Sequence, residues 1–135
     1  MGTVKLDITE IAELASDKPV IMLNLLRYRE QADFPQGYSD QPCSGREAYQ
    51  RYAALATPLV LGIGGKIRFA GHAVANVVSP KDERWHDMIL VEYDSPRIFV
   101  DMANSAEYQR IVYLRTAALE DSRLIAMQDG LSFQL

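Results

Sequence analysis

The chain has 135 residues, of which 48% are hydrophobic and 24% charged, with a net charge of −4 at neutral pH. That length suits one domain around one core, and the mild acidic excess lacks the basic face that nucleic-acid binders carry. The lone cysteine, Cys43, excludes an internal disulfide, and no apolar run reaches the length of a membrane span. The opening MGTVKLDITE has no apolar signal-peptide core, so the expected location is the cytoplasm, with neither membrane nor nucleic acid as partner.

DITEIAELAS places Glu10 at capping-box spacing from Asp7 and sets Ile8, Ile11 and Leu14 on one stripe, which predicts a short helix. VIMLNLLRY then predicts a first strand over about 20–28. Residues 29–43, REQADFPQGYSDQPC, are polar with two prolines and a glycine, a long loop that is either functional or a tolerated surface insertion. SGREAYQRYAALATPLVLGIGG opens with a second capping box, Ser44 and Glu47, and carries Tyr49, Tyr52, Leu59 and Ile63 at helical spacing. Pro58 should kink this helix, and Gly62, Gly64 and Gly65 end it.

KIRFAGHAVANVV alternates as a second strand, SPKDER turns, and WHDMILVEYD forms a third strand. Ser95 and Pro96 start a helix that continues or restarts after Ser105 and runs through AALED, and SRLIAMQ is the last strand. The order βαββαβ after a leading helix predicts an α+β, ferredoxin-like domain spanning 1–135, its core over about 19–128. Its four-stranded antiparallel sheet carries two helices on one face.

The other face has no cover from this chain. Strand side chains alternate between faces, and parity assigns Ile21, Leu23, Leu25, Ile67, Phe69, Ile89, Val91 and Tyr93 to the helix side. The uncovered face then holds Met22, Asn24, Leu26, Tyr28, Arg68, His72, His86, Met88, Leu90 and Glu92. A second copy laid sheet to sheet would bury about 800 Å² per subunit, so a homodimer is expected. Gly71 marks a candidate bulge, which would reverse the parity of His72 relative to Arg68.

Asn24 is an amide inside an apolar strand, and an unpartnered buried amide costs roughly 1–3 kcal/mol. On this reading it faces a cavity and holds a substrate carbonyl or enolate oxygen; its plainer role is a hydrogen bond to backbone or across the dimer. Glu92 and His72 are the candidate proton-transfer pair, with an ion pair to Arg68 and a rim histidine as the simpler alternatives. Arg68 could clamp a substrate carboxylate, with Tyr28 and Met88 lining the same space. Cys43 stands before a helix N-terminus without an adjacent histidine, two histidines make a weak metal set, and GIGGK lacks phosphate-loop spacing. No metal or cofactor is expected.

GGKIRFAG and WHDMILVEYDSPRIFVDMANSAEYQRIVYLRTAALEDSRLI resemble the domain of unknown function 1330 family, in the dimeric α/β-barrel superfamily of ferredoxin-like folds. The likeness runs from about Pro19 to Gln128. It rests on Gly64-Gly65 before the second strand, the Glu92-to-Ser95 turn, Ser105-Ala-Glu-Tyr108 and Arg115; NLLRYRE and SGREAYQRYA look like a subgroup with a longer first loop. The resemblance implies the fold and the dimer, and no particular activity. Superfamily relatives include cofactor-independent and haem-degrading oxygenases, isomerases and ligand-sensing domains. The haem-degrading group uses an Asn, a Trp and a helical His; Asn24 and Trp85 match the first two, and Ser95-Pro96-Arg97 supplies no histidine.

The combined expectation is a small-molecule-binding homodimer. Its catalytic form is a cofactor-independent oxygenase or isomerase acting on a small organic, anionic substrate through Asn24, His72 and Glu92. The alternative is a non-catalytic ligand-binding or structural dimer.

Overall fold

Serine caps set where the helices begin. In the computed structural model, which describes residues 6–135, Ser44 Oγ accepts from Glu47 N at 3.0 Å while Glu47 Oε1 accepts from Ser44 N at 3.1 Å, a complete capping box. Ser95 caps Ile98 N with Pro96 at the first helical position, and Ser105 caps Tyr108 N, so the helix restarts rather than continues. At the N-terminus the expected box is not made. Asp7 Oδ1 instead accepts from Thr9 N and Thr9 Oγ1, and Ile8 holds the cap position without a side-chain bond.

The elements are α1 (Thr9–Ala12), β1 (Val20–Tyr28), α2 (Gly45–Gly62), β2 (Lys66–His72), β3 (Asp87–Tyr93), α3 (Pro96–Ala103), α4 (Ala106–Ala118) and β4 (Leu119–Met127). The strands form one antiparallel sheet in the order β2-β3-β1-β4, the α+β ferredoxin-like arrangement expected. α2 runs through Pro58 and ends before Gly64, whose positive φ of 82° glycine adopts without strain. β2 is shorter than its alternating sequence suggested: Val74, Val77 and Val78 lie beyond it, 86%, 92% and 94% exposed. α4 ends at Ala118, and the fully buried Leu119 already belongs to β4.

The face assignment of β1 is reversed. Val20, Met22 and Leu26 are buried, and register pairs Val20 with Tyr93, Met22 with Val91 and Asn24 with Ile89, all beneath the helices. Ile21, Leu23 and Leu25 oppose Glu92, Leu90 and Met88 on the outer face. Most positions of β1 are apolar, so alternation carried little information, and Asn24 misled the assignment. In β3 the expected parity is the observed one. In β2 the bulge sits at Arg68 rather than Gly71: register shifts between Ile67 and Phe69, which puts Phe69 opposite Leu90 on the outer face and His72 opposite Asp87.

The long loop is docked. Asp33 N donates to Ala117 O and Ala32 N to Cys43 O, both at 2.9 Å, and Tyr38 stacks on Tyr113 at 4.0 Å. Cys43 is buried with Leu26, Tyr49 and Leu119, a small apolar filler. Among the described residues no helix is long and apolar enough to cross a membrane.

Candidate functional site

Helical spacing brings a set of polar side chains under the sheet. On α2, Tyr49, Tyr52 and Ala56 share one stripe; on α4, Tyr108 and Arg115 share another. These stripes face Asn24 and Ile89 on the sheet around a cavity of about 100 Å³. Tyr52 and Tyr108 share a hydrogen bond between their hydroxyls at 2.7 Å. Ring contacts connect Tyr28 to Tyr49 at 5.6 Å, Tyr49 to Tyr52 at 5.3 Å, and Tyr52 to Tyr108 at 6.1 Å.

Arg115 is the anomaly of this layer. It is 8% exposed, and its Nη2 is buried without a hydrogen-bond partner. None of the ion pairs among the described residues involves it. A guanidinium carries five donors, no acceptor, and a charge it does not lose. Burying such a charge without a counterion costs several kcal/mol. The Tyr49 hydroxyl lies beside Arg115, where its oxygen can accept from the guanidinium, and burial pushes its pKa up to about 12. Burial, with Tyr108 next, also holds Tyr52 well above its ordinary value. Near neutral pH both phenols keep their protons, so among the described residues the cavity lining carries a cation and hydroxyl donors but no carboxylate.

Asn24 lines this cavity beneath the helices. Its Nδ2 makes two long hydrogen bonds, 3.3 Å to Ile89 O and 3.4 Å to Met22 O. The other sequence candidates lie elsewhere. Glu92 is on the outer face, where its carboxylate accepts from Arg68 Nε at 2.8 Å. That hydrogen bond lowers the Glu92 pKa and raises that of Arg68, the opposite of what a general acid near neutrality needs. His72 is exposed at the end of β2 opposite Asp87. Met88 is on the outer face opposite Leu25. The structure therefore does not bring Asn24, His72 and Glu92 together.

Tyr28 belongs to a separate cluster at the sheet end. Its hydroxyl donates to Asp87 Oδ2 at 2.5 Å, its backbone N–H donates to His86 Nδ1 at 2.9 Å, and the Arg46 guanidinium lies 4.6 Å over its ring. Burial, then the bond to Asp87, raises its pKa. Trp85 lies against Arg123 at 5.3 Å and bonds Glu83, away from Asn24. Among the described residues no group of three His, Cys, Asp or Glu is placed to hold a metal ion.

Arg115, Tyr49, Tyr52 and Tyr108 were not singled out as site residues from the sequence. A signal was present: Tyr108, Ile111 or Val112, Arg115 and Ala118 form one helical stripe, and a charge on an otherwise apolar stripe is rarely buried without a purpose.

No curated protein matches the chain. A solved structure of RPA0582, a protein of unknown function from Rhodopseudomonas palustris, is 30% identical with a TM-score of 0.87, covering 97% of this chain and 99% of that one. Its methylated form gives 32% identity and a TM-score of 0.84 over 93% of this chain and 91% of that one. At fold level alone, a dimeric ferredoxin-like protein of unknown function from Bacteroides fragilis has a TM-score of 0.52 at 15% identity, covering 82% of this chain and 96% of that one. A hydroxynitrile lyase from Passiflora edulis has 0.58 at 11%, covering 88% and 100%. The sequence profile described as Domain of unknown function (DUF1330) matches residues 42–129, from the loop before α2 to the end of β4. With most of the chain inside that match, the protein belongs to the DUF1330 family.

Proposed function

We propose that the protein is a small-molecule-binding homodimer that holds a small organic anion in the cavity beneath each sheet. The carrying observation is the buried, unpaired Nη2 of Arg115. A carboxylate or enolate would supply the missing counterion and acceptors, with a bidentate geometry available from the guanidinium. Asn24 and the Tyr49, Tyr52 and Tyr108 hydroxyls orient the rest of the ligand. If a reaction follows, this wall suits stabilisation of negative charge developing on the ligand, which is the requirement of cofactor-independent oxygenation or isomerisation through an enolate. The His72 and Glu92 positions belong to the periphery of this reading.

The homodimer rests on the outer face. Leu23, Leu25, Met88, Leu90, Phe69 and Ile125 share it, and no element among the described residues covers it. A second copy is the occupant that buries it symmetrically, at about 25 cal/mol per Å² of apolar area.

The test is a thermal-shift titration with acetate, lactate and benzoate on wild type, Arg115→Met and Asn24→Ala. A carboxylate at 100 times its Kd should stabilise the wild type by about 2.7 kcal/mol. The shift should vanish in Arg115→Met and shrink in Asn24→Ala. Equal binding by Arg115→Met, or no shift with any carboxylate, sinks the reading.

A further inference from the structure

A larger groove of about 550 Å³ lies where α1 and its flanks meet the edge strand β4. Leu6 and Leu14 line it while 37% and 46% exposed, apolar surface left open to water. Met22, Phe99, Arg115 and Leu124 line both this groove and the inner cavity. Arg115 therefore stands at the junction of the two. The volume falls in the range of small-molecule sites.

From this junction we infer that the groove takes the hydrocarbon tail of a monocarboxylate whose head sits on Arg115, a deepening that rests on the anion reading above. Charge placement selects the ligand class. Besides Arg115, the charged groups lining the groove are Asp7, Glu10 and Arg123. Arg123 is already paired with Asp121 at 2.7 Å, and Asp7 accepts from Thr9. Glu10 is exposed. The α1 end of the groove is thus apolar and acidic, while the base is a buried cation. A ligand with one negative end and an apolar body matches both; a second carboxylate at the far end would meet Asp7 and Glu10.

The experiment is isothermal titration of the full chain with butyrate, hexanoate, octanoate and suberate, the dicarboxylic counterpart of octanoate. Each added methylene should tighten Kd about fourfold while the groove fills, and suberate should bind at least tenfold more weakly than octanoate, on the order of one like-charge contact. Leu14→Ser should flatten the chain-length dependence; Arg115→Met should lose all four ligands. Far-ultraviolet dichroism and melting of each variant check that it folds. If butyrate binds through Arg115 but chain length has no effect, the tail assignment falls and the anion site stands. If the chain-length gain persists in Arg115→Met, the head assignment falls with the anion reading.

Discussion

Arg115 behaves, in this reading, as a binding group retained against folding stability. One guanidinium nitrogen of Arg115 is buried without a hydrogen-bond partner, and replacing buried ionic groups with apolar side chains of similar volume is often neutral or stabilising by about 1–4 kcal/mol. Arg115→Met is expected to melt at the wild-type temperature or above it, measured without ligand, while losing carboxylate binding. A drop of several degrees would instead make Arg115 a structural residue. The tyrosines carry a pH signature of their own. Burial raises Tyr49 from its ordinary value of 10.0 to about 12, so the folded state holds that proton more tightly than the unfolded one. Its contribution is complete below pH 10 and is lost as pH rises from about 10 toward about 12, on the order of 2–3 kcal/mol. Alkaline unfolding should therefore track phenolate absorbance in that window. Anion affinity should stay flat between about pH 6 and 9, because burial holds the Tyr49 and Tyr52 protons on above that range. A step near pH 6.5 would return a histidine to the site.

At the scale of elements, the junction of β1, α2 and α4 is the tightest point. Gly45, the first residue of α2, is buried, and a Cβ there would lie 2.3 Å from Arg29 O and 2.5 Å from Ala118 O, both backbone. Its own N–H donates to Arg29 O at 3.0 Å. Neither neighbour can yield without moving a strand end or a helix end, so Gly45→Ala is expected to cost about 3 kcal/mol, the upper end of overpacking, in urea unfolding. An unchanged midpoint would contradict the packing described. The same scale shows why several boundaries could be read and others could not. Ser44, Ser95 and Ser105 announce helix starts because a cap is local chemistry, satisfied within three residues. The end of α4 has no such mark: Leu119 leaves the helix because it pairs with Tyr28 across the sheet, a contact far away in sequence.

For the whole molecule, the outer sheet face is the feature that one chain leaves unfinished. Leu23 lies on it, opposite Leu90 and Ile125, and its side chain is away from the cavity under the helices. Light scattering after size exclusion should give a dimer for the wild type and a monomer for Leu23→Asp, which places a charge at the centre of the proposed interface. A wild-type monomer would remove the sheet-to-sheet assembly and leave the anion site to be judged alone. The same face carries the Arg68–Glu92 pair, 2.8 Å apart.

The amino-acid sequence by itself determined the order of elements, the α+β class, the uncovered sheet face and the family pattern, because caps, glycines and strand–helix alternation are encoded within a few residues of where they act. The face on which Asn24 lies was decided only by the tertiary structure. β1 is apolar on both sides, so its parity depended on which neighbours the register supplied, and register placed Asn24 against Ile89 beneath the helices. The bulge at Arg68 was likewise set by pairing with β3 rather than by a glycine. Arg115, Tyr49, Tyr52 and Asn24 are drawn from three elements separated along the chain. Their convergence on one donor-rich cavity follows from packing α2 and α4 across the same sheet face, which no local pattern in the chain encodes.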